Sequence, residues 1–594
     1  MKRLYYNIVY AICVIAGFSS CSDFLVIEPQ NEIIFDKFWN EKADVDAVIA
    51  GCYSGLQEEA VVKRMMVWGE FRSDNIGPGS NVQSDGNLEK LLKENIDAKN
   101  SYTDWKDFYS VINRCNTVIK YAPGVAADDP AYLESELKAN IAEMVALRSL
   151  CYFYLIRTFR DVPYSTEPFT DDDQTMDLPA TKFDAVVDSL IKDLEYVKGY
   201  AVKRYPVTKE LYQTGRVTQD FIHSLLCELY LWKKDYQNCI RYADLVIESK
   251  KAIYEENRQK RTSTITTDDD IDRFNGFPLV SNSSSTNYFG DAYSILFGSD
   301  RSYTDQVNQE IIFQLVYSDN PQGTGMIANG AVNSFYGNSQ STTGLVAPSD
   351  YVYAQIDATG QDRKVYAEKN KMYDARIYIN HTYRGSGSSN SNKSINKYTT
   401  TDIEISASGG TTPTASYYEK YTQNQNGSNW IIYRLTDIML LKAEALTQLV
   451  HEGEDADAEY NRSLIDRAFY LVNAVNKRSV CQTQLQDTLL RANYSSKGDM
   501  ETLVLQERQR ELMFEGKRWF DLVRLSQRKG NTQVLKAAAL QKATTGSGLI
   551  SNHLSKMDAI YWPYNLDEIK VNKNLVQNSA FSSGEDESYK KTTK

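Results

Sequence analysis

Hydrophobic residues recur at helical spacing in both the N-terminal and the C-terminal parts of the chain. From Leu137 to Leu155 they fall mostly three or four positions apart, which predicts an amphipathic helix that ends at Asp161-Val162-Pro163. Similar stripes occupy residues 431–449, 462–475 and 500–527, and each predicts a further helix. The sequence therefore predicts helices at both ends of the chain.

Residues 217–249 carry two apolar stripes separated by the polar Lys233-Lys234-Asp235, a pattern that predicts a helical hairpin. The paired stripes, the small Ala243 and the intervening turn resemble a tetratricopeptide-type unit. Such a unit needs neighbours to bury both of its faces. We therefore expect several helical pairs packed side by side, mainly over residues 35–260 and 430–530.

An irregular insert is predicted between residues 262 and 429, where the composition changes to Ser, Thr, Asn and Gly. Strand-like alternation occurs there only from Glu310 to Tyr317. A long irregular segment inside a compact chain is often functional, so its aromatic residues are candidates for ligand contact. The alternative is that these rings only hold loops against the helical body. They are Tyr288, Phe289, Tyr293, Phe335, Tyr336 and Tyr351.

The first twenty residues have the pattern of a secretory signal peptide. Lys2 and Arg3 precede a short apolar stretch, and Phe18-Ser19-Ser20 lies directly before Cys21 in an arrangement that resembles a bacterial lipobox. We expect cleavage before Cys21 and lipidation of this new N-terminal cysteine, which would anchor residues 21–594, a single domain, to a membrane without spanning it. The alternative is an ordinary cleavage site with a cysteine nearby.

Composition and charge exclude several functional classes. The net charge of −12 disfavours a nucleic-acid partner, because no local basic patch offsets it. The four histidines are too scattered for a zinc site, and the eight cysteines have no spacing typical of a disulfide framework. The 41 tyrosines suit hydroxylated or peptide ligands, because each combines an apolar face with a polar tip.

No cofactor is predicted from the motifs. Neither a G-x-S-x-G elbow nor a phosphate-binding G-x-x-x-x-G-K-[ST] loop occurs. Asp268, Asp270 and Asp272 imitate the start of a calcium loop, but Arg273 and Leu279 occupy positions that require Gly and Glu. A structural calcium ion there stays an alternative to a solvated acidic loop.

Several longer motifs are spread in order along the chain. They are CSDFL (21–25) followed by Pro29, WKDFYSVINRCNTVI (105–119), ALRSLCYFYLIRTFRDVPY (146–164), YRLTDIMLLKAEAL (433–446), ERQRELMFEGKRWFDLVR (507–524) and YWPYNLDEIKVNKNLVQN (561–578). Together these segments resemble the SusD/RagB family of nutrient-binding surface lipoproteins. Arg160 and Tyr564 depart from the usual Gly and Pro of two of these motifs.

The resemblance implies a mainly α fold, an α-superhelix of tetratricopeptide-like helical pairs with a long irregular, loop-rich, ligand-facing half. It also implies capture of an oligosaccharide or a peptide at the outer surface of the outer membrane. The ligand would then pass to a SusC-like TonB-dependent transporter. A surface glycoside hydrolase and a protein-binding repeat scaffold are the rival functions.

In the family the ligand sits on loops outside the helical body. Stacking aromatics and hydrogen-bonding carboxylates or amides on such loops are the expected contacts. Asp74 lies in the segment Phe71-Arg72-Ser73-Asp74-Asn75, which we call the early loop, and its alternative role is that of a capping or turn residue. The residues predicted to contact ligand are Asp74, Asn75, Trp68, Tyr288, Tyr336 and Trp430.

The motif at 507–524 is also a candidate active site, because Glu507, Glu511 and Glu515 recur every four residues on one predicted helical face. Apolar residues alternate with these carboxylates, and arginines surround them. We therefore interpret the segment as a packed ion-pair network rather than a glycosidase pair. The expected neighbours are Arg508, Arg510, Arg518, Asp521 and Arg524.

Overall fold

A computed structural model describes residues 38–582 except for fifteen internal gaps, most of which fall in the irregular insert. The gaps are residue 172, 261–273, 282–287, residue 290, 298–303, 318–327, 338–343, 355–373, 382–392, 400–401, 407–413, 419–426, 454–456, 481–488 and 543–545. Cys21 and the acidic triplet Asp268, Asp270 and Asp272 lie outside the described residues.

Helices make up most of the described chain, and the fold is mainly α as predicted. The helices of the first half are α1 Lys42–Gln57, α2 Glu59–Met66, α3 Gly86–Leu92, α4 Lys106–Asp128, α5 Glu134–Phe159, α6 Phe183–Val197, α7 Tyr212–Gly215, α8 Gln219–Trp232 and α9 Tyr236–Lys260. Those of the second half are α10 Asp291–Phe297, α11 Thr304–Glu310, α12 Gly330–Tyr336, α13 Asp350–Ala354, α14 Arg376–Ile379, α15 Leu435–Gln448, α16 Ala458–Arg478, α17 Lys497–Leu512, α18 Arg518–Lys529, α19 Gln533–Gln541, α20 Ser547–His553 and α21 Leu566–Val571.

Short antiparallel strands connect distant parts of the chain. β1 pairs with β6, β2 with β3, and β5 with β9, while β4, β7 and β8 form a three-stranded sheet in the order β4-β7-β8. The strands are β1 Ile76–Pro78, β2 Val162–Pro163, β3 Ala180–Thr181, β4 Tyr288–Phe289, β5 Ile311–Leu315, β6 Val346–Pro348, β7 Asp402–Ser406, β8 Thr414–Tyr418 and β9 Trp430–Arg434.

The helical pairs pack in sequence around one hydrophobic core. α4 packs on α5, α8 on α9, and α15 on both α9 and α16, so each pair covers an apolar face of the next. The predicted hairpin is confirmed: its turn follows Trp232, and Lys234 has a φ of 66°. Among the described residues only α5 is long and apolar enough to cross a membrane, and 83% of its apolar window is buried within the fold.

Two predicted helices are wrong in detail. Residues 431–449 begin as β9, which pairs with β5, and become helical only at Leu435. Residues 500–527 form two helices instead of one, because the chain turns after Leu512 with positive φ angles at Phe514 (69°) and Gly516 (71°). The strand expected near Glu310 is confirmed as β5.

Candidate ligand-binding site

The turn between α17 and α18 is fastened to the π-helical turn at residues 67–71 by the buried side chain of Glu70. Its carboxylate accepts hydrogen bonds from the backbone amides of Phe514 (3.0 Å), Lys517 (3.1 Å) and Arg518 (3.3 Å). Burial raises the pKa of Glu70 to about 7, although these donors act in the opposite direction. A Cβ atom at Gly69 would overlap the carbonyl oxygen of Gly516, so glycine is required for this approach.

Asp74 and Asn75 lie directly beneath this turn and do not reach solvent. Arg518 donates to both carboxylate oxygens of Asp74, at 2.9 and 2.8 Å. Gln509 donates to Asp74 at 3.0 Å and to Asn75 at 2.8 Å. Because both side chains are buried and have internal partners, the prediction that they face a ligand is wrong for this structure, and they hold the early loop against α17 and α18.

The predicted aromatic contacts are also buried, contrary to the expectation of exposed rings. Trp68 donates to the carbonyl of Tyr102 (2.8 Å), and Tyr336 donates to that of Phe514 (3.0 Å). The ring of Trp430 stacks on Tyr398 with centroids 5.3 Å apart. Tyr336 and Trp430 fill the core beside the 513–517 turn, whereas Trp68 packs against Phe108 of α4 and Phe159 of α5. Tyr288 lies in β4, and its side chain is outside the described part of the chain.

The glutamates of the 507–524 motif are completely or almost completely buried and form ion pairs, as predicted. Several of their partners, however, come from distant segments rather than from the motif itself. Glu511 pairs with Arg376 (3.2 Å), Arg434 (2.6 Å) and Arg478, while Glu507 pairs with Arg376 and Arg510, both at 2.7 Å. We call this set, with Glu515 and its partners Arg434 and Lys397, the charge network.

Within the motif only Arg510 neutralises one of the three glutamates. The other expected neighbours pair elsewhere: Arg508 with Asp437 and Asp521, Arg524 with Glu444 and Asp521, and Arg518 with Asp74. The single helical face predicted for Glu507, Glu511 and Glu515 is wrong, because α17 ends before Glu515.

Ionisation of the charge network is maintained by its cations. Burial opposes the charge on Glu511, but the guanidinium groups of Arg478, Arg434 and Arg376 hold its pKa well below the usual range. The same opposition of burial and cations lowers the pKa of Glu507 and of Glu515. A glycosidase needs one carboxylic acid that donates a proton near neutral pH and a cleft that admits the substrate. These three carboxylates are ionised and buried, so they do not form a glycosidase pair.

An open cleft of about 580 Å³ lies where the early loop meets the irregular half. Asn81, Gln83 and Ser84 are exposed on the loop that follows β1, and α12 contributes the partly exposed Asn333 and Ser334. Gly344 and Leu345 complete the lining. We call this site the amide cleft.

Close backbone packing shapes the amide cleft. Gly79 donates to the carbonyl of Leu345 (3.0 Å), and Leu345 donates to that of Ser334 (3.0 Å). A Cβ atom at Gly79 would overlap the carbonyl oxygen of Gly344, and one at Gly344 would overlap that of Phe335. Below the cleft, the amide of Ser349 donates to the carbonyl of Asn75 (2.9 Å). Asn75, which is predicted from the sequence to contact ligand, therefore supports the cleft without lining it.

The lining of the amide cleft is suited to hydrogen bonding rather than to stacking. Asn81 and Gln83 expose side-chain amides and Ser84 exposes a hydroxyl, so the lining offers both donors and acceptors to a ligand. Among the described residues, the buried Asn333 Oδ1 has no hydrogen-bond partner. Among its lining residues there is no aromatic ring and no ionisable group. In the sequence, the only signal for this site is the polar run Ser80-Asn81-Val82-Gln83-Ser84 after Gly77-Pro78-Gly79.

Metal binding finds no support in the described residues, where no group of three or more His, Cys, Asp or Glu side chains is placed to hold an ion. Five cysteines in that part of the chain are buried free thiols, namely Cys52, Cys115, Cys151, Cys227 and Cys239.

Comparison with known proteins agrees with this architecture. A family model described as the SusD family matches residues 309–581, and a second, described as "Starch-binding associating with outer membrane", matches residues 23–231. The chain belongs to the SusD/RagB family. SusD-like protein P38 of Formosa agariphila is 26% identical over 588 residues, covering 96% of this chain and 98% of that protein.

Solved SusD structures share the fold. A SusD superfamily protein from Bacteroides thetaiotaomicron has a TM-score of 0.60 at 20% identity, covering 92% of this chain and 99% of the other. A laminarin-binding SusD-like protein has a TM-score of 0.58 at 19% identity, with coverage of 91% and 100%. NanU of B. fragilis has a TM-score of 0.57 at 18% identity, with coverage of 94% and 100%.

Proposed function

We propose that this SusD-like protein is a non-catalytic binding protein that captures an oligosaccharide outside the cell and delivers it to a SusC-like TonB-dependent outer-membrane transporter. The observation that carries the proposal is the amide cleft, whose lining presents the exposed polar side chains of Asn81, Gln83 and Ser84. Amide and hydroxyl groups hydrogen-bond to sugar hydroxyls in either direction, since each offers both donors and acceptors. The laminarin-binding relative of the same fold supports a glycan as the ligand class.

Capture of a peptide is the second candidate. Asn and Gln side chains also bind peptide backbone groups, and the cleft is open enough for an extended chain. A hydrolase is disfavoured because the three glutamates of the motif are buried within the charge network.

The proposed location is the outer face of the outer membrane. The family description supports association with that membrane, and the lipobox-like Phe18-Ser19-Ser20-Cys21 supports a lipid anchor. Replacement of Cys21 by Ala is expected to abolish labelling with a fatty acid and to release the protein from the membrane fraction. Unchanged labelling would contradict the anchor.

Titration calorimetry with separate oligosaccharide and peptide pools, followed by mass analysis of the recovered ligand, tests the function. Delivery requires release, so we expect a Kd of about micromolar to millimolar and an intact ligand. The triple variant Asn81→Ala/Gln83→Ala/Asn333→Ala should lose binding at the cleft while it stays folded. Gln533→Ala, an exposed amide on α19, is the matched control.

The outcomes separate the candidates. Cleaved ligand would contradict the non-catalytic role, and binding of peptides alone would favour the second candidate. Affinity in the triple variant equal to that of Gln533→Ala would show that the amide cleft is not the binding site.

A further inference from the structure

A second groove, of about 600 Å³, lies in the helical half of the molecule and is lined by different chemistry from the amide cleft. Its walls are α1, the N-terminal part of α5 and the segment 201–217, and its floor includes Val316 at the end of β5. Three tyrosines line it, Tyr53 from α1 and both Tyr205 and Tyr212 from segment 201–217. We call it the tyrosine groove.

Arg216 organises these three rings. Its guanidinium carbon lies 5.9 Å from the ring centroids of Tyr53 and Tyr205, and 5.3 Å from that of Tyr212. The nearly buried Glu143 accepts from Arg216 Nε at 2.8 Å and from the Tyr53 hydroxyl, which itself accepts from the amide of Val217 at 3.0 Å. Because each polar group is held by another, the rings are positioned before any ligand arrives.

A purely structural role explains the ion pair, since Arg216 and Glu143 join segment 201–217 to α5. It does not explain why that segment also presents apolar surface to solvent beside the groove. Tyr212 is 40% exposed, Leu211 44% and Val207 80%. The rings of Tyr205 and Tyr212 meet edge to face, with centroids 5.6 Å apart. Arg216 and Lys209 also lie over the Tyr212 ring, and its 40% exposure leaves the rest of this ring open to a ligand.

The charges of the tyrosine groove favour a neutral ligand. Lys42 is paired with Asp46 at 2.6 Å, and Arg216 is paired with Glu143. Lys209 and Glu136 add one charge of each sign. A ligand with apolar C–H faces and hydroxyl groups fits this combination of tyrosine faces and balanced polar groups better than a charged chain does.

We infer that the tyrosine groove is a second binding site for a neutral oligosaccharide, separate from the amide cleft and acting mainly by stacking on Tyr212 and Tyr205. The inference takes its ligand class from the proposed function, but it rests on residues that the amide cleft does not share. It assigns the stacking contacts to the helical half and the hydrogen-bonding contacts to the loop half.

Calorimetric titration of the lipid-free full-length chain with laminarihexaose, maltohexaose and mannohexaose tests the inference. Tyr212→Ala is expected to weaken binding at one class of site by about tenfold, because one stacked ring is lost. Tyr460→Ala is the matched control, since Tyr460 is 43% exposed on α16 and is not among the residues that line the groove. Tyr212→Trp should retain binding and report it through a shift of fluorescence emission.

The two sites are distinguished by combining variants. In the triple variant of the amide cleft, oligosaccharide should still bind and still shift the Tyr212→Trp emission. If Tyr212→Ala binds like Tyr460→Ala and the emission does not respond, the second site is refuted while the proposed function stands. If the wild-type chain binds no oligosaccharide, the proposed function fails. An emission response to a peptide pool alone would refute the ligand class assigned to the groove.

Discussion

The charge network and the amide cleft are both built from polar side chains, yet their exposure is opposite. Glu507 and Glu511 have no accessible surface and are surrounded by guanidinium groups, whereas Asn81 and Gln83 are exposed. The network joins α14, α16, α17 and β9, which lie far apart along the chain. The charged motif at 507–524 therefore stabilises the fold, and the short polar run at 80–84 provides the candidate site.

Removal of a central carboxylate from the charge network should cause the largest loss of unfolding free energy. Glu511→Ala leaves Arg376, Arg434 and Arg478 with fewer partners, and a broken buried pair costs about 3–5 kcal/mol of unfolding free energy. Glu515→Ala is expected to cost about 3 kcal/mol, because Arg434 and Lys397 lose an anionic partner.

Urea unfolding measures these losses, and Glu134→Ala on the exposed side of α5 is the control, for which we expect an unchanged midpoint. Oligosaccharide affinity of the folded fraction should hardly change. A stable Glu511→Ala protein that has lost a hydrolytic activity would contradict the structural role.

Acid should also distinguish the buried ion pairs of the fold from the amide cleft. Arg72 and Glu94, 2.9 Å apart, form such a pair outside the charge network. Burial opposes the charge on Glu94, but Arg72 holds its pKa at about 2, below the value of about 4.5 expected in the unfolded chain. A depressed pKa contributes stability that is present above pH 4.5 and is lost as the pH falls towards 2, here about 3 kcal/mol.

The unfolding free energy should therefore decrease as the pH is lowered from 4.5 towards 2. Glu94→Gln should make this dependence of the unfolding free energy on pH less steep. The lining residues of the amide cleft include no ionisable group, so affinity should be constant between neutral pH and the onset of unfolding. A Glu94→Gln slope equal to that of the wild type would contradict this assignment.

A smaller effect is expected at Gly79, where the segment that follows β1 meets the irregular half beside the amide cleft. Gly79→Ala forces a Cβ atom against the carbonyl of Gly344 and the backbone of Leu345, which should cost about 1–3 kcal/mol and weaken oligosaccharide binding at the amide cleft. Gly86→Ala, at the start of α3, meets no atom within 4 Å and should leave both quantities unchanged or slightly raise stability. Thermal unfolding and titration calorimetry compare the two variants. Equal stability and equal affinity would mean that the close approach of Gly79 to Gly344 does not shape the cleft.

Much of the fold was predictable because its signals are local. The apolar periodicity that predicts α5, the polar break at Lys233-Lys234-Asp235 and the alternation that predicts β5 all arise from neighbouring residues in the sequence. The ion-pair character of the 507–524 motif was also predictable, because carboxylates that alternate with apolar residues are buried only when cations neutralise them.

Exposure and partner choice were decided by tertiary structure alone. Trp68, Tyr336 and Trp430 have the composition of ligand contacts, but Tyr336 reaches the carbonyl of Phe514 across 178 residues, and Arg518 reaches Asp74 across 444. No local pattern encodes such distant contacts. The 3.6-residue periodicity also passes over the turn at Phe514–Gly516, whose ends are held by Glu70 through the backbone amides of Phe514 and Lys517. The amide cleft and the tyrosine groove likewise exist because separate segments meet there.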